Sequence, residues 1–107
     1  MASSCAIAAA LDIFGDRWSM LVMRDILYHE KSTYSEFLAS PEGISTNILA
    51  NRLKKLEAAG LVKRKAYQSN PVRYAYRATK QGRAVKPVLK AAGKWGDKHI
   101  RKTVMPR

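Results

Sequence analysis

Apolar residues recur along the chain at helical spacing in five segments and at alternating spacing in one. Residues 5–14 predict a first helix, with serines before it that can cap it and a glycine after it. Residues 17–28 follow Asp16, a second capping residue, and are apolar on nearly every face, which predicts a central, buried helix. A third helix begins at Thr33, which forms a Thr-x-x-Glu capping box with Glu36.

The second half of the chain predicts a helix, a hairpin and a last helix. A Ser-Pro-Glu-Gly turn leads from the third helix to a fourth over residues 45–59. One face of this helix is apolar, and the opposite face carries short polar side chains. Two helices joined by a tight turn predict a helix-turn-helix over residues 33–59. Alternating tyrosine and arginine predict a two-stranded hairpin over residues 61–78. Residues 79–102 predict a final helix that Pro87 kinks or restarts.

The charge along the chain is strongly asymmetric. Among 107 residues, 20 are basic and 8 acidic, which gives a formal net charge of +12. Residues 1–42 hold three basic and six acidic residues, whereas residues 43–107 hold seventeen basic and two acidic ones. A basic block with so few counter-charges is typical of a protein that binds a polyanion, most commonly nucleic acid.

Length and composition restrict the class of protein. A chain of 107 residues, 47% of them apolar, predicts one domain over residues 1–107 with a packed core. No stretch approaches the roughly 18 apolar residues of a membrane span, and the first sixteen residues lack the basic charge of a targeting peptide. A lone cysteine, two distant histidines and no nucleophile–base set indicate neither a metal site nor an enzyme. We expect a cytoplasmic protein without a cofactor.

Several short motifs are distributed along the chain. Residues 5–18 have the pattern C-x-I-x-x-x-L-D-I-F-G-D-R-W, residues 34–37 are Y-S-E-F, and residues 71–74 are P-V-R-Y. The first is similar to the C-P-V-x-x-x-L-D-x-I-G-x-K-W opening of the HxlR-type bacterial transcription regulators, and the chain resembles that family as far as Trp95. Departures include Thr33, where the family usually has a basic residue, and Ala50, where it commonly has a hydroxyl.

The resemblance implies a fold, an assembly and a function. The implied fold is mainly α with a small β-hairpin (α+β): a winged helix-turn-helix whose extra terminal helices, residues 1–15 and 84–102, form a dimer interface. The implied function is sequence-specific binding of double-stranded DNA by a bacterial homodimer on an inverted-repeat operator, which we expect to repress transcription in response to an effector. The apolar residues expected at the dimer contact are Ile7, Leu11, Val85, Val88, Leu89, Ala92 and Trp95.

The polar face of the fourth helix predicts contacts with base edges. Asn can pair with both the acceptor and the donor of adenine in the major groove, and an alanine methyl can contact a thymine methyl. The predicted base-reading residues are Thr46, Asn47, Ala50 and Asn51. An ordinary solvated helix face is the alternative. The predicted phosphate contacts, which position DNA without specifying its sequence, are Thr33, Ser35, Ser45, Lys54, Lys55, Arg64, Lys65 and Arg73. Lys90, Lys94 and Lys98 are interpreted as a solvated face.

Arg52 lies beside Leu53, on the less exposed side of the fourth helix. An ion pair with Glu36 or Asp25 and a phosphate contact are equally compatible with that position. The sequence leaves both hypotheses open.

Cys5 has two interpretations. A lone cysteine is commonly a small apolar residue, here buried in the dimer contact. Its place in the first turn of a helix in a cationic protein instead favours the thiolate, and therefore a redox or electrophile sensor. Sensing would use a bridge between the Cys5 residues of two subunits, or an adduct with a small thiol or a quinone-like electrophile.

Two other functions fit the positive charge. A sequence-nonspecific nucleoid or RNA-binding protein needs only the basic surface. A protein–protein adaptor would use the same surface on an acidic partner. Neither function predicts a preference among DNA duplexes.

Overall fold

The computed structural model describes residues 4–100, which form six helices and one two-stranded sheet. In chain order these are α1 (Ala6–Phe14), α2 (Arg17–His29), α3 (Tyr34–Leu38), α4 (Thr46–Ala58), β1 (Val62–Ser69), β2 (Val72–Ala78), α5 (Lys80–Arg83) and α6 (Lys86–His99). The predicted fold class, mainly α with a small β-hairpin, is confirmed.

A single hydrophobic core lies between α2, α3, α4 and the start of the hairpin. Its completely buried side chains include Met23, Phe37, Leu49, Leu56 and Val62. The α2 helix contacts α1, α4, α6 and β2, so it occupies the central position that its apolar sequence predicts. Because α4 turns its leucines into this core, its opposite face is directed to solvent.

Helix starts follow the capping signals in the sequence at α2, α3, α4 and α5, but α1 and α6 have no side-chain capping hydrogen bond. The capping box between Thr33 and Glu36 is present at the start of α3. The α1 helix, however, has Cys5 at its N-cap position. The prediction of a serine cap is wrong for Ser4, because Ser4 stands one residue before the position from which a side chain can reach the first-turn N–H groups. Ser3 lies outside the described residues.

Within the hairpin predicted over residues 61–78, the two strands are longer and the turn is shorter than the turn-forming residues 68–71 predict. The antiparallel register runs from Val62 opposite Ala78 to Ser69 opposite Val72, which leaves a two-residue turn at Asn70-Pro71. Tyr76 is buried and its N–H donates to the Ser32 carbonyl at 2.8 Å. This bond attaches the hairpin to the loop between α2 and α3.

The last helical region is divided in two. Pro87 lies in the first turn of α6, so it restarts the helix and does not kink it. The predicted end near residue 102 lies outside the described residues. Val85 and Leu89 are only 6% and 7% exposed and pack in the core of the protomer. The expectation that these two residues are left over for a dimer contact is therefore wrong.

The other apolar residues expected at a dimer contact are exposed in the protomer. Ile7 and Leu11 on α1 are 72% and 57% exposed, and Val88 and Trp95 on α6 are 50% and 60% exposed. Ala92 is exposed on α6 as well. In the part of the chain that the structure describes, no helix is long and apolar enough to cross a membrane. Nor do residues 4–100 contain a cluster of three His, Cys, Asp or Glu side chains that could hold a metal ion.

Candidate nucleic-acid interface

The solvent-facing side of α4 carries the residues predicted to contact bases. Its buried stripe, Leu49, Leu53 and Leu56, packs into the core and determines which side chains point outward. All of the predicted base-reading residues are exposed: Thr46, Asn47, Ala50 and Asn51. Ser45 caps the helix by accepting a hydrogen bond from the Ile48 N–H at 3.2 Å. An exposed helix of this kind fits the major groove of DNA.

A cluster of charged side chains holds the turn between α3 and α4. The Arg24 guanidinium contacts Asp25 at 2.8 Å and Glu42 at 2.7 Å, and it lowers the pKa of Glu42 to about 2. The Ser40 hydroxyl donates to the buried Asp25 carboxylate and accepts from Lys31 Nζ at 2.6 Å. The Arg24-Asp25 pair is visible in the sequence, but the partners that it reaches on the turn are not.

Arg52 has a different partner from either of those expected. Its Nε donates to Asp16 Oδ2 at 2.7 Å, across the gap between α4 and the start of α2. The ion pairs predicted with Glu36 and Asp25 are wrong, because Glu36 closes the capping box and Asp25 is engaged by Arg24 and Ser40. A phosphate contact from Arg52 stays a prediction.

Four of the predicted phosphate-contacting residues line one groove between the start of α3 and the hairpin. Its volume is about 520 Å³, and the residues that line it include Thr33, Ser35, Arg64 and Arg73. Lys65 is not among them. Side chains alternate along a strand, so Lys65 points to the opposite face of the hairpin from Arg64. On that second face, Lys63 lies opposite Arg77 in the strand register. Both are exposed cations, and neither is among the predicted phosphate contacts.

Arg64 is held in place within the groove. Its guanidinium lies 4.2 Å from the centre of the Tyr74 ring and 3.6 Å from the Glu57 carboxylate. A hydrogen bond with Tyr76 raises the pKa of Arg64. The groove is therefore lined by a cation that has side-chain partners, whereas Lys54 and Lys55 extend from α4 into solvent.

Cys5 is exposed in the protomer. The backbone N–H groups of Ala8 and Ile7, which the first turn of α1 directs toward the sulfur, lower the pKa of the thiol. Hydrogen bonds to the charged form stabilise it, so the thiolate, the reactive form of cysteine, is more accessible here than at an ordinary cysteine.

The arrangement of two helices and a hairpin matches a known family of regulators. The sequence profile of the HxlR-like helix-turn-helix family matches residues 13–104. The chain belongs to this family. The HTH-type transcriptional regulator YvaP of Bacillus subtilis, whose role is uncharacterized, is 36% identical over 91 residues, which cover 85% of this chain and 83% of YvaP. This member of the HxlR family is accordingly a transcriptional regulator of the helix-turn-helix type.

Solved structures of related regulators have the same fold. The reduced form of the transcriptional regulator YodB from B. subtilis superposes with a TM-score of 0.71 and 27% identity, covering 95% of this chain and 100% of YodB. The redox regulator HypR, in its oxidized form, superposes with a TM-score of 0.74 and 28% identity, covering 89% of this chain and 97% of HypR. The chain is a winged helix-turn-helix protein, with α3 and α4 as the helix-turn-helix and β1–β2 as the wing.

Proposed function

We propose that this HxlR-family regulator is a homodimer that represses transcription by binding an inverted-repeat operator in double-stranded DNA. The α4 helices of the two subunits would enter successive major grooves about one helical turn apart. The exposed polar face of α4, together with exposed cations on α4 and on the wing, is the observation that carries the proposal. Such a regulator acts in the bacterial cytoplasm, on the chromosome, and needs neither catalysis nor a cofactor.

The proposed dimer is supported by the exposed apolar residues of the first and last helices. Ile7, Leu11, Val88 and Trp95 are each at least half exposed. Large apolar side chains exposed outside the core on the first and last helices are compatible with an interface, and a two-fold axis would pair the same surface of both subunits. In this arrangement residues 1–15 and 84–102 supply the dimer contact, residues 33–59 the helix-turn-helix and residues 61–78 the wing.

Selection of bound duplexes from a random DNA library, at near-physiological salt, tests the proposed function. We expect an inverted repeat to be enriched. Binding without enrichment would contradict sequence-specific regulation and support a nonspecific nucleic-acid-binding protein, for which the +12 charge suffices. Absence of DNA binding would instead support an adaptor for an acidic protein partner.

Replacing the amides of α4 is expected to weaken operator binding selectively. Asn47→Ala and Asn51→Ala should each lose roughly 1–3 kcal/mol at particular base pairs, because each removes an amide that can hydrogen-bond a base edge in the groove. Competition binding against the selected operator and against a scrambled duplex measures the difference. Affinity for the scrambled duplex should not change. Equal losses on both duplexes would contradict base recognition by these residues.

We further propose that Cys5 makes the regulator responsive to oxidants or electrophiles. The exposed thiol, its lowered pKa and the similarity to HypR, named a redox regulator, support this proposal. With diamide, two Cys5 thiols of the dimer would lose two electrons and two protons to the reagent and form one bridge between subunits. An electrophile would instead add directly to the thiolate.

Cys5→Ser is expected to retain operator binding and to lose the response to diamide and quinones, because a hydroxyl neither forms a disulfide nor adds to the electrophile under these conditions. Operator binding with and without each reagent is the measurement. Mass spectrometry of the treated wild type distinguishes a bridge from an adduct. A wild type whose operator affinity does not change with either reagent would contradict the sensor hypothesis.

A further inference from the structure

The Arg52 side chain connects the start of α2 to the exposed face of α4. Its Nε donates to Asp16 Oδ2 at 2.7 Å, and its Nη1 donates to the side-chain oxygen of the neighbouring Asn51. Both members of the ion pair are partly buried, with side chains 24% and 20% exposed. One guanidinium thus joins a partly buried carboxylate, Asp16, to a residue proposed to contact a base.

The Asp16 carboxylate itself is rigidly held. Asp16 Oδ2 accepts from the N–H groups of Trp18 and Ser19 at 2.9 and 3.0 Å, and Asp16 Oδ1 accepts from the Ser19 hydroxyl at 2.6 Å. Partial burial acts to raise the pKa of Asp16, but the hydrogen bonds from Ser19 and Arg52 outweigh it, and the pKa lies well below its usual range. The carboxylate is charged and has its direction set by the helix that it caps.

This geometry determines how the Asn51 amide is oriented. A guanidinium has donors and no acceptor, so the amide atom that faces Arg52 must be the oxygen. The NH₂ group of the same planar amide is then directed away from Arg52 and is available as a donor. A donor in the major groove suits a base acceptor such as a purine N7. An Asn51 side chain without Arg52 could rotate or turn its amide over.

We propose that Arg52, held by Asp16, is a positioning residue that determines which base Asn51 recognises. The proposal rests on the proposed function, since it requires that α4 contacts DNA bases. It differs from a phosphate contact, the other hypothesis for Arg52, because a phosphate contact strengthens binding to every sequence equally. The two roles therefore predict different patterns along an operator.

Two substitutions separate the roles. Arg52→Lys keeps the positive charge, but a single ammonium lacks the fork that reaches both Asp16 and Asn51. Asp16→Asn keeps an oxygen that can cap α2 and removes the charge that holds Arg52. Lys54→Gln, on the exposed side of the same helix, is the matched control for loss of a phosphate contact. Thermal unfolding of each variant verifies that it is folded.

Duplex selection with the wild type, these variants and Asn51→Ala tests the proposal. We expect Arg52→Lys and Asp16→Asn to weaken base preference by about fivefold or more at the base pair where Asn51→Ala also abolishes it. Preference at the Asn47 base pair should be kept. Lys54→Gln should weaken binding to all duplexes equally.

Several outcomes would overturn the proposal. Uniform weakening by Arg52→Lys and Asp16→Asn, or unchanged preference at the Asn51 base pair, would show that Arg52 does not position Asn51. Unaltered base preference of Asn51→Ala at every position would also overturn the proposal. The proposed function would still stand in that case, because Asn47 could recognise bases. Only a wild type that enriches no motif would overturn the proposed function as well.

Discussion

Operator affinity is expected to fall by roughly 10³- to 10⁵-fold when NaCl is raised from about 50 to 200 mM. Each phosphate that a Lys or Arg neutralises releases counterions and contributes about −0.9 to the slope of log affinity against log salt. Cations on α4 and the wing supply these contacts twice in the proposed dimer. They are Lys54, Lys55, Arg64, Lys65 and Arg73. Fluorescence anisotropy of a labelled operator across a salt series measures the slope.

Two lysine variants test whether the slope comes from the proposed surface. Lys65→Gln, on the wing, removes one cation from each subunit and should reduce the magnitude of the slope by about 1.8. Lys90→Gln, on the exposed side of α6, removes the same charge far along the chain from α4 and should leave the slope unchanged. Equal changes in both variants would show that the whole positive surface acts as a diffuse polyanion binder.

Helix positions could be predicted because their signals are local. Asp16 and the Thr33–Glu36 capping box each act within one helical turn, so the residues that cap a helix are also close to it in sequence. The hairpin turn could not be predicted as accurately. Its length depends on how far cross-strand pairing continues, and here the pairing reaches Ser69 and Val72, beside the residues that favour a turn.

Contacts between residues distant in sequence are the part of the site that could not be predicted. The helical period alone indicates that Asn47 and Asn51 share the exposed face of α4, whereas it does not identify which of several distant carboxylates Arg52 reaches. The α6 stripe shows the same limit. Val85 and Leu89 enter the core while Val88, between them in sequence, is exposed. A broad apolar stripe on one helix can pack partly against the core and partly against a second surface, and the sequence does not indicate which of its residues face which.

Gly82→Ala is expected to destabilise the protein by about 3 kcal/mol, the upper part of the usual range for overpacking. A Cβ at Gly82 would lie 2.0 Å from the Leu61 carbonyl oxygen. That oxygen accepts from the Thr79 N–H at 3.0 Å, and the Thr79 hydroxyl donates to the Gly60 carbonyl at 2.6 Å. Because the methyl would meet backbone held from both sides, α5 and the segment that links α4 to β1 would have to separate. Thermal unfolding should show a fall in Tm on the order of 10–20 °C.

Gly96→Ala is the matched control, because it adds the same methyl to a helical glycine where, apart from the neighbouring residues and backbone of its own helix, nothing in the protomer lies within 4 Å of the new Cβ. Alanine is favoured over glycine inside a helix by up to about 1 kcal/mol, so this variant should be neutral or more stable. Both must be compared at one protein concentration, since dimerisation makes Tm concentration-dependent. If Gly82→Ala unfolded at the same temperature as Gly96→Ala, the close contact between α5 and Leu61 that joins the wing to the helical core would be contradicted.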